Sequence, residues 1–137
     1  MIITLRDFKR GEIKLKVEDL DDLWTLKTVL EPGDLVTTKT IRKIKLDTAT
    51  DRKQTLIKKT LVLEIIVEKL EFKKDSLRIS GKITTEKEDI KKGSYHSFEI
   101  VPNDTLKIVK PKWYNFHINK LELATKKLEA NILIIVL

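Results

Sequence analysis

The chain has 137 residues, 41% of them hydrophobic, and 28 Lys and Arg against 21 Asp and Glu give it a net charge of +7. That length suits one domain around a single core, and that hydrophobic content excludes intrinsic disorder. Cysteine is absent, which excludes disulfides, thiolate nucleophiles and cysteine-based zinc sites together and suits a reducing, cytoplasmic setting.

Ile2, Ile3 and Leu5, then Ile13, Leu15 and Val17 with Lys14 and Lys16 between them, predict two short strands joined around Gly11. Leu20, Leu23, Trp24, Leu26, Val29 and Leu30 follow at helical spacing. Asp19 is placed to cap that helix, Asp21 and Asp22 suit the positive end of its dipole, and Glu31-Pro32-Gly33 stops it. Asp34 to Leu46 and Leu56 to Phe72 are rich in β-branched residues and predict long extended runs. Leu77, Ile79, Gly81 and Ile83 alternate with Arg78, Ser80 and Lys82, the pattern of a half-buried strand, after a turn at Lys73-Lys74-Asp75. A charged connection from Glu86 to Lys92 leads to two more short strands, Tyr95 to Val101 and Leu106 to Lys110, around the turn Pro102-Asn103-Asp104. Beyond Pro111, the residues Trp113, His117, Leu121, Ala124 and Leu128 predict one face of a final helix. Short alternating strands with a helix at each flank imply an α+β fold, expected here as a small, strongly bent β-barrel. The run Ile132 to Leu137 is wholly apolar and reads as a buried strand opening a further domain. It is far shorter than the roughly 20 residues that span a membrane, so no membrane partner is expected.

Charge is unevenly spread. From Lys39 to Lys59 there are eight cations (Lys39, Arg42, Lys43, Lys45, Arg52, Lys53, Lys58 and Lys59) against Asp47 and Asp51, a local net of +6. The centre, Asp47 to Gln54, is polar and lies between two strand-like runs, so it reads as a long hairpin loop. A charged hairpin that blunts a sheet edge is the bland explanation. The cation density favours contact with nucleic-acid phosphates, and the lack of any aromatic between Lys39 and Lys59 argues against base stacking there.

No nucleophile elbow, HExxH, P-loop or dinucleotide fingerprint is present. His96 and His117 fall in different elements and read as packing or hydrogen-bonding residues, and Trp24 and Trp113 read as core. Glu18, Asp19, Asp21 and Asp22 offer carboxylates for a divalent ion, though helix capping explains them better. Asp47 and Asp51 would be the alternative metal-binding pair, bringing Mg²⁺ to a phosphodiester. No cofactor is otherwise implied.

The segments DDLWTL at 21–26, EPGDLV at 31–36, KTIRK at 39–43, LEIIVEKLEF at 63–72, LRISGKI at 77–83 and EDIKKGSYHSFEI at 88–100 stand in a specific order, as does the KPKW-to-KLEA stretch at 110–130. In that order and spacing the chain resembles the N-terminal domain of the Pelota family, in its archaeal version. These are ribosome-rescue relatives of class 1 peptide release factors. The resemblance covers residues 1–130 and implies an Sm-like barrel with flanking helices, with 131–137 opening the family's central domain. It further implies a monomer acting in mRNA surveillance, which enters the ribosomal A site with an elongation factor 1-alpha type GTPase bound through the full-length protein. The loop matching Ile44 to Ile57 would then point at mRNA and rRNA without reading codons, since no NIKS or cysteine-containing stop-codon motif is present. The alternative that the resemblance carries is a divalent-metal-dependent endoribonuclease.

Overall fold

The computed structural model of the chain describes residues 1–46, 55–85 and 92–126, with the backbone alone for 42–46, 55–57 and 59. The elements are β1 (Ile2–Asp7), β2 (Glu12–Lys16), α1 (Leu20–Val29), β3 (Leu35–Leu46), β4 (Thr55–Phe72), β5 (Leu77–Ile83), β6 (Tyr95–Ile100), β7 (Thr105–Val109) and α2 (Asn115–Thr125). All pairings are antiparallel, and the strands lie in one sheet in the order β1-β2-β7-β3-β4-β5-β6.

The period-2 patterns decide the faces. Ile13 and Leu15 of β2, Leu63, Ile65 and Val67 of β4, Leu77, Ile79 and Ile83 of β5 and Leu106 and Ile108 of β7 all point into one core. From α1 come Leu23, Leu26 and Val29, and from α2 Leu121 and Ala124. The helices pack on each other, and α1 also covers β4 and β5. Asp19 caps α1 as expected, accepting the Asp22 N–H at 3.1 Å. Asn103 makes its turn at φ 79°, a left-handed conformation that Asn tolerates.

The closed barrel expected from the strand pattern does not form. Among the described residues β1 pairs only with β2 and β6 only with β5, so the sheet keeps two open edges. Alternation reports that each strand has one buried face, and a bent open sheet covered by helices satisfies that requirement as well as a barrel does. The bend is concentrated in β4. Its first part pairs with β3 up to Ile66 and its last part with β5 from Ile65 onward, and a bulge follows between Val67 and Lys69. Opposite that bulge stands Gly81, where any Cβ would run into the Ile66 carbonyl. The sheet curls far enough for a side-chain bridge between non-neighbouring strands, His96 Nε2 of β6 lying 2.8 Å from Thr40 Oγ1 of β3.

Other differences are local. The last helix begins at Asn115, so Trp113 precedes it rather than sharing its face, while Leu128 and the apolar run at 132–137 lie outside the described residues. Trp24, expected in the core, is 55% exposed and meets the Phe72 ring edge-on at 5.5 Å. Its place in α1 lies beside the apolar stripe, and the position facing inward is taken by Asp22.

Candidate nucleic-acid interface

Strand β3 has β7 as a sheet neighbour only from Leu35 to Thr38. From Lys39 to Leu46 it pairs with β4 alone, over Thr55 to Val62, a stretch of β4 that lies before the pairing with β5 begins. The result is a two-stranded ribbon of eight residue pairs projecting from the sheet, roughly 26 Å long at about 3.3 Å per residue. Its root is sealed by Thr38 and Leu61, and Thr38 Oγ1 donates to the Thr105 carbonyl at 2.7 Å. Further out, Lys39, Ile41, Lys58, Thr60 and Val62 are exposed.

The register brings cationic residues into opposition. Arg42 stands across from Lys59 and Lys43 across from Lys58 on successive rungs, with Lys45 two positions beyond Lys43. Like charges directly opposite destabilise a strand pair, so this register carries an electrostatic cost of its own. Thus six of the eight sequence-predicted cations (Lys39, Arg42, Lys43, Lys45, Lys58 and Lys59) are collected on one ribbon. Arg52 and Lys53, with Asp47 and Asp51, lie at 47–54, outside the described residues.

The acidic cluster at the start of α1 is used structurally. Asp22 is wholly buried, and its Oδ2 accepts the Glu18 N–H at 2.9 Å and holds the Met1 ammonium at 2.8 Å. Glu18 Oε1 shares that ammonium at 2.5 Å. Asp19 is the helix cap, and Asp21 is an exposed first-turn residue. Among the described residues no group of three or more His, Asp or Glu is arranged to hold a metal ion.

At the other end of β3 is a buried polar knot. Lys110 Nζ donates to Asp34 Oδ2 at 2.5 Å, and the same oxygen accepts the Glu31 N–H at 2.9 Å. His117 is buried, with Nδ1 accepting the Tyr114 N–H at 3.3 Å. Its Nε2 therefore carries the proton and donates to Glu31 Oε1 at 2.6 Å. That hydrogen bond holds the Glu31 carboxyl below its ordinary range, with Lys110 adding a smaller pull in the same direction. His96 and His117 both serve as hydrogen-bonding residues, as the sequence predicts.

One constellation has no counterpart among the sequence-predicted sites. Phe8, Lys9, Arg10, Lys112 and Trp113 line a cleft of about 580 Å³ beside the β1–β2 turn. Next to it Tyr114 and Phe116 stack with ring centres 5.7 Å apart and planes 11° apart. The available signal is the run Lys112-Trp113-Tyr114-Asn115-Phe116, which helical periodicity absorbs if the helix is started too early.

The described residues thus form an open antiparallel α+β sheet with two helices and a two-stranded arm along which cationic residues stand opposite one another. The family model described as "Pelota N-terminal domain" matches residues 1–125. The chain belongs to that family. It is 39% identical over 142 residues to a protein pelota homolog of Methanobrevibacter smithii, covering 98% of this chain and 40% of that protein. A homolog of Pyrococcus furiosus is 37% identical over 117 residues, covering 83% of this chain and 33% of its own length. The chain thus spans about two fifths or less of these relatives. Among solved structures, ribosome-bound archaeal Pelota with ABCE1 superposes with a TM-score of 0.75 at 35% identity, over 90% of this chain and 36% of that one. Archaeoglobus fulgidus Pelota gives 0.64 at 35% identity over 91% and 32%. Dom34 of Saccharomyces cerevisiae, described as a translation termination-like factor of RNA quality control that interacts with Hbs1, gives 0.66 at 25% identity over 90% and 32%.

Proposed function

We propose that this domain is the RNA-facing module of a cytoplasmic factor that rescues stalled ribosomes and acts in mRNA surveillance, and that its ribbon enters the decoding site without reading codons. The observation that carries the reading is the ribbon itself: opposed cations at Arg42/Lys59 and Lys43/Lys58, projected beyond the sheet. Phosphates are the ligands that relieve such opposition, and phosphate contact is independent of sequence. Membership of the Pelota family and the likeness to a ribosome-bound archaeal Pelota support the ribosome as the source of those phosphates. The domain acts as a monomer, and a translational GTPase of the elongation factor 1-alpha type joins the full-length protein, a reading supported by the Hbs1 interaction of Dom34.

Replacing Lys43, Lys45, Arg52 and Lys53 by Ala tests this. Affinity for ribosomes falls, and the dependence of log affinity on log salt becomes shallower by about 0.7 for each single-strand phosphate that is no longer neutralised. Unchanged affinity and slope overturn the reading.

A further inference from the structure

We propose that the cleft beside the β1–β2 turn and the Tyr114–Phe116 stack together form a second site for single-stranded RNA, separate from the ribbon, at which bases stack on exposed rings. Three observations carry it. The cleft lining contains Lys9, Arg10, Lys110 and Lys112 and no acidic residue. Lys110 is committed to Asp34, and Arg10 lies 3.8 Å from Asp7 while its side chain stays 81% exposed. Lys9 and Lys112 make no ion pair among the described residues, so the cleft keeps uncompensated positive charge.

The second observation is the rings. Tyr114 is 48% and Phe116 53% exposed, and because the two rings adjoin they form a continuous aromatic surface rather than scattered apolar residues. Each ring has a cation over its face, Lys112 Nζ at 5.0 Å from the Tyr114 centre and Lys120 Nζ at 5.9 Å from that of Phe116. A base that stacks on either ring takes the place of that lysine, which becomes free to meet the base's own phosphate, and Lys112 links the ring pair to the cleft. Aromatic platforms interleaved with cations are what single strands require, and the ribbon supplies cations without rings.

The third is position. The cleft touches Leu35, where β3 begins, whereas the described ribbon ends at Leu46. The ribbon starts at Lys39, but seven steps of about 3.3 Å separate Leu35 from its first opposed cation, Arg42, roughly 23 Å, so a nucleotide held in the cleft lies beyond the reach of the opposed pairs. The scaffold beneath is fixed: Trp113 Nε1 donates to the Gly11 carbonyl at 2.7 Å, and Gly11 at φ 68° lies so close to the Lys110 carbonyl that no Cβ would fit.

Trp113 reports on the cleft. With Trp24→Phe as background, so that Trp113 is the sole indole, the full chain is titrated with a ten-nucleotide oligoadenylate and with an abasic phosphodiester decamer of the same charge. The RNA is expected to change Trp113 emission. Phe116→Ala then weakens RNA binding about 5- to 150-fold for one stacked base and leaves the abasic strand unaffected. Phe116→Trp, read by anisotropy of labelled RNA, restores affinity, and Lys9→Ala with Lys112→Ala weakens both strands. The Ala variant at Lys43, Lys45, Arg52 and Lys53 retains the Trp113 response, which separates this site from the ribbon. Equal affinity of Phe116→Ala for RNA, an equal loss for both strands, or a Trp113 response that vanishes only with the ribbon substitutions overturns the proposal.

Discussion

Asp34 and Lys110 form an ion pair at 2.5 Å with their side chains only 5% and 2% exposed, fastening the residue before β3 to the residue after β7. Asp34 Oδ2 is also the acceptor for the Glu31 N–H, so this one carboxylate ties α1's exit to the sheet. A buried pair is worth little relative to a well-packed apolar replacement, but losing one partner strands the other charge in the interior. Asp34→Ala is expected to cost about 3–5 kcal/mol. Asp34→Leu and Lys110→Met combined should cost less than either of those two substitutions alone. Urea unfolding of the two singles and the double checks the order, and additive losses would refute the pairing.

Glu31 and His117 give a small acid-side dependence. The hydrogen bond from His117 holds the Glu31 carboxyl below its ordinary value of 4.5 in the folded protein. A group depressed on folding contributes stability above its unfolded value and loses that contribution as pH falls through the lowered folded value. Glu31 is half exposed, so solvent screening keeps the effect below about 1 kcal/mol. Glu31→Gln should therefore reduce stability at pH 6 and 7 and converge with the parent as pH falls below 4.5, as chemical denaturation at a series of pH values would show. A gap that widens on acidification would contradict the assignment.

Gly81 faces the turning point of β4. A methyl group there would collide with the backbone carbonyl of Ile66, which has no rotamer to escape into. Overpacking of this kind costs about 1–3 kcal/mol, and Gly81→Ala should lower the melting temperature by several degrees. An alanine at the neighbouring exposed position, Lys82→Ala, which adds no atom near a backbone, should stay within about 0.5 kcal/mol.

The opposed cations predict a trade between stability and binding. Lys43→Glu places a carboxylate across from Lys58 in the register and removes one like-charge pair. Thermal stability should rise slightly, by an amount on the order of 0.2–1 kcal/mol, while affinity for RNA falls. Parallel melting and RNA titration in low salt measure both, and a variant that loses stability and keeps affinity would refute the role assigned to the ribbon.

Strand faces were legible because Leu77, Ile79 and Ile83 alternate with polar neighbours, and the start of α1 was legible because Asp19 is a local signal. Sheet closure was not, since alternation fixes which face is buried and is silent on whether the edges meet. Trp24 was misplaced because a helical stripe is about a third of the circumference and its border residues can lie on either side of the waterline. Asp22 took an inward position because the Met1 ammonium reaches it from another element, a contact no local pattern announces. The ribbon cations were legible as charge, and their opposition required the register. The Tyr114–Phe116 stack was hidden by starting α2 directly after Pro111 rather than at Asn115.

Because β4 is a single strand of 18 residues that changes partner at Ile65 and Ile66, the arm and the core share one backbone. That makes the crossing a fulcrum. With an arm of roughly 26 Å, a local twist of about 10° at those two residues swings the far end by about 4–5 Å. Small side-chain changes deep in the core, around Val67 and Gly81, therefore have leverage over where the cations land without altering any cation.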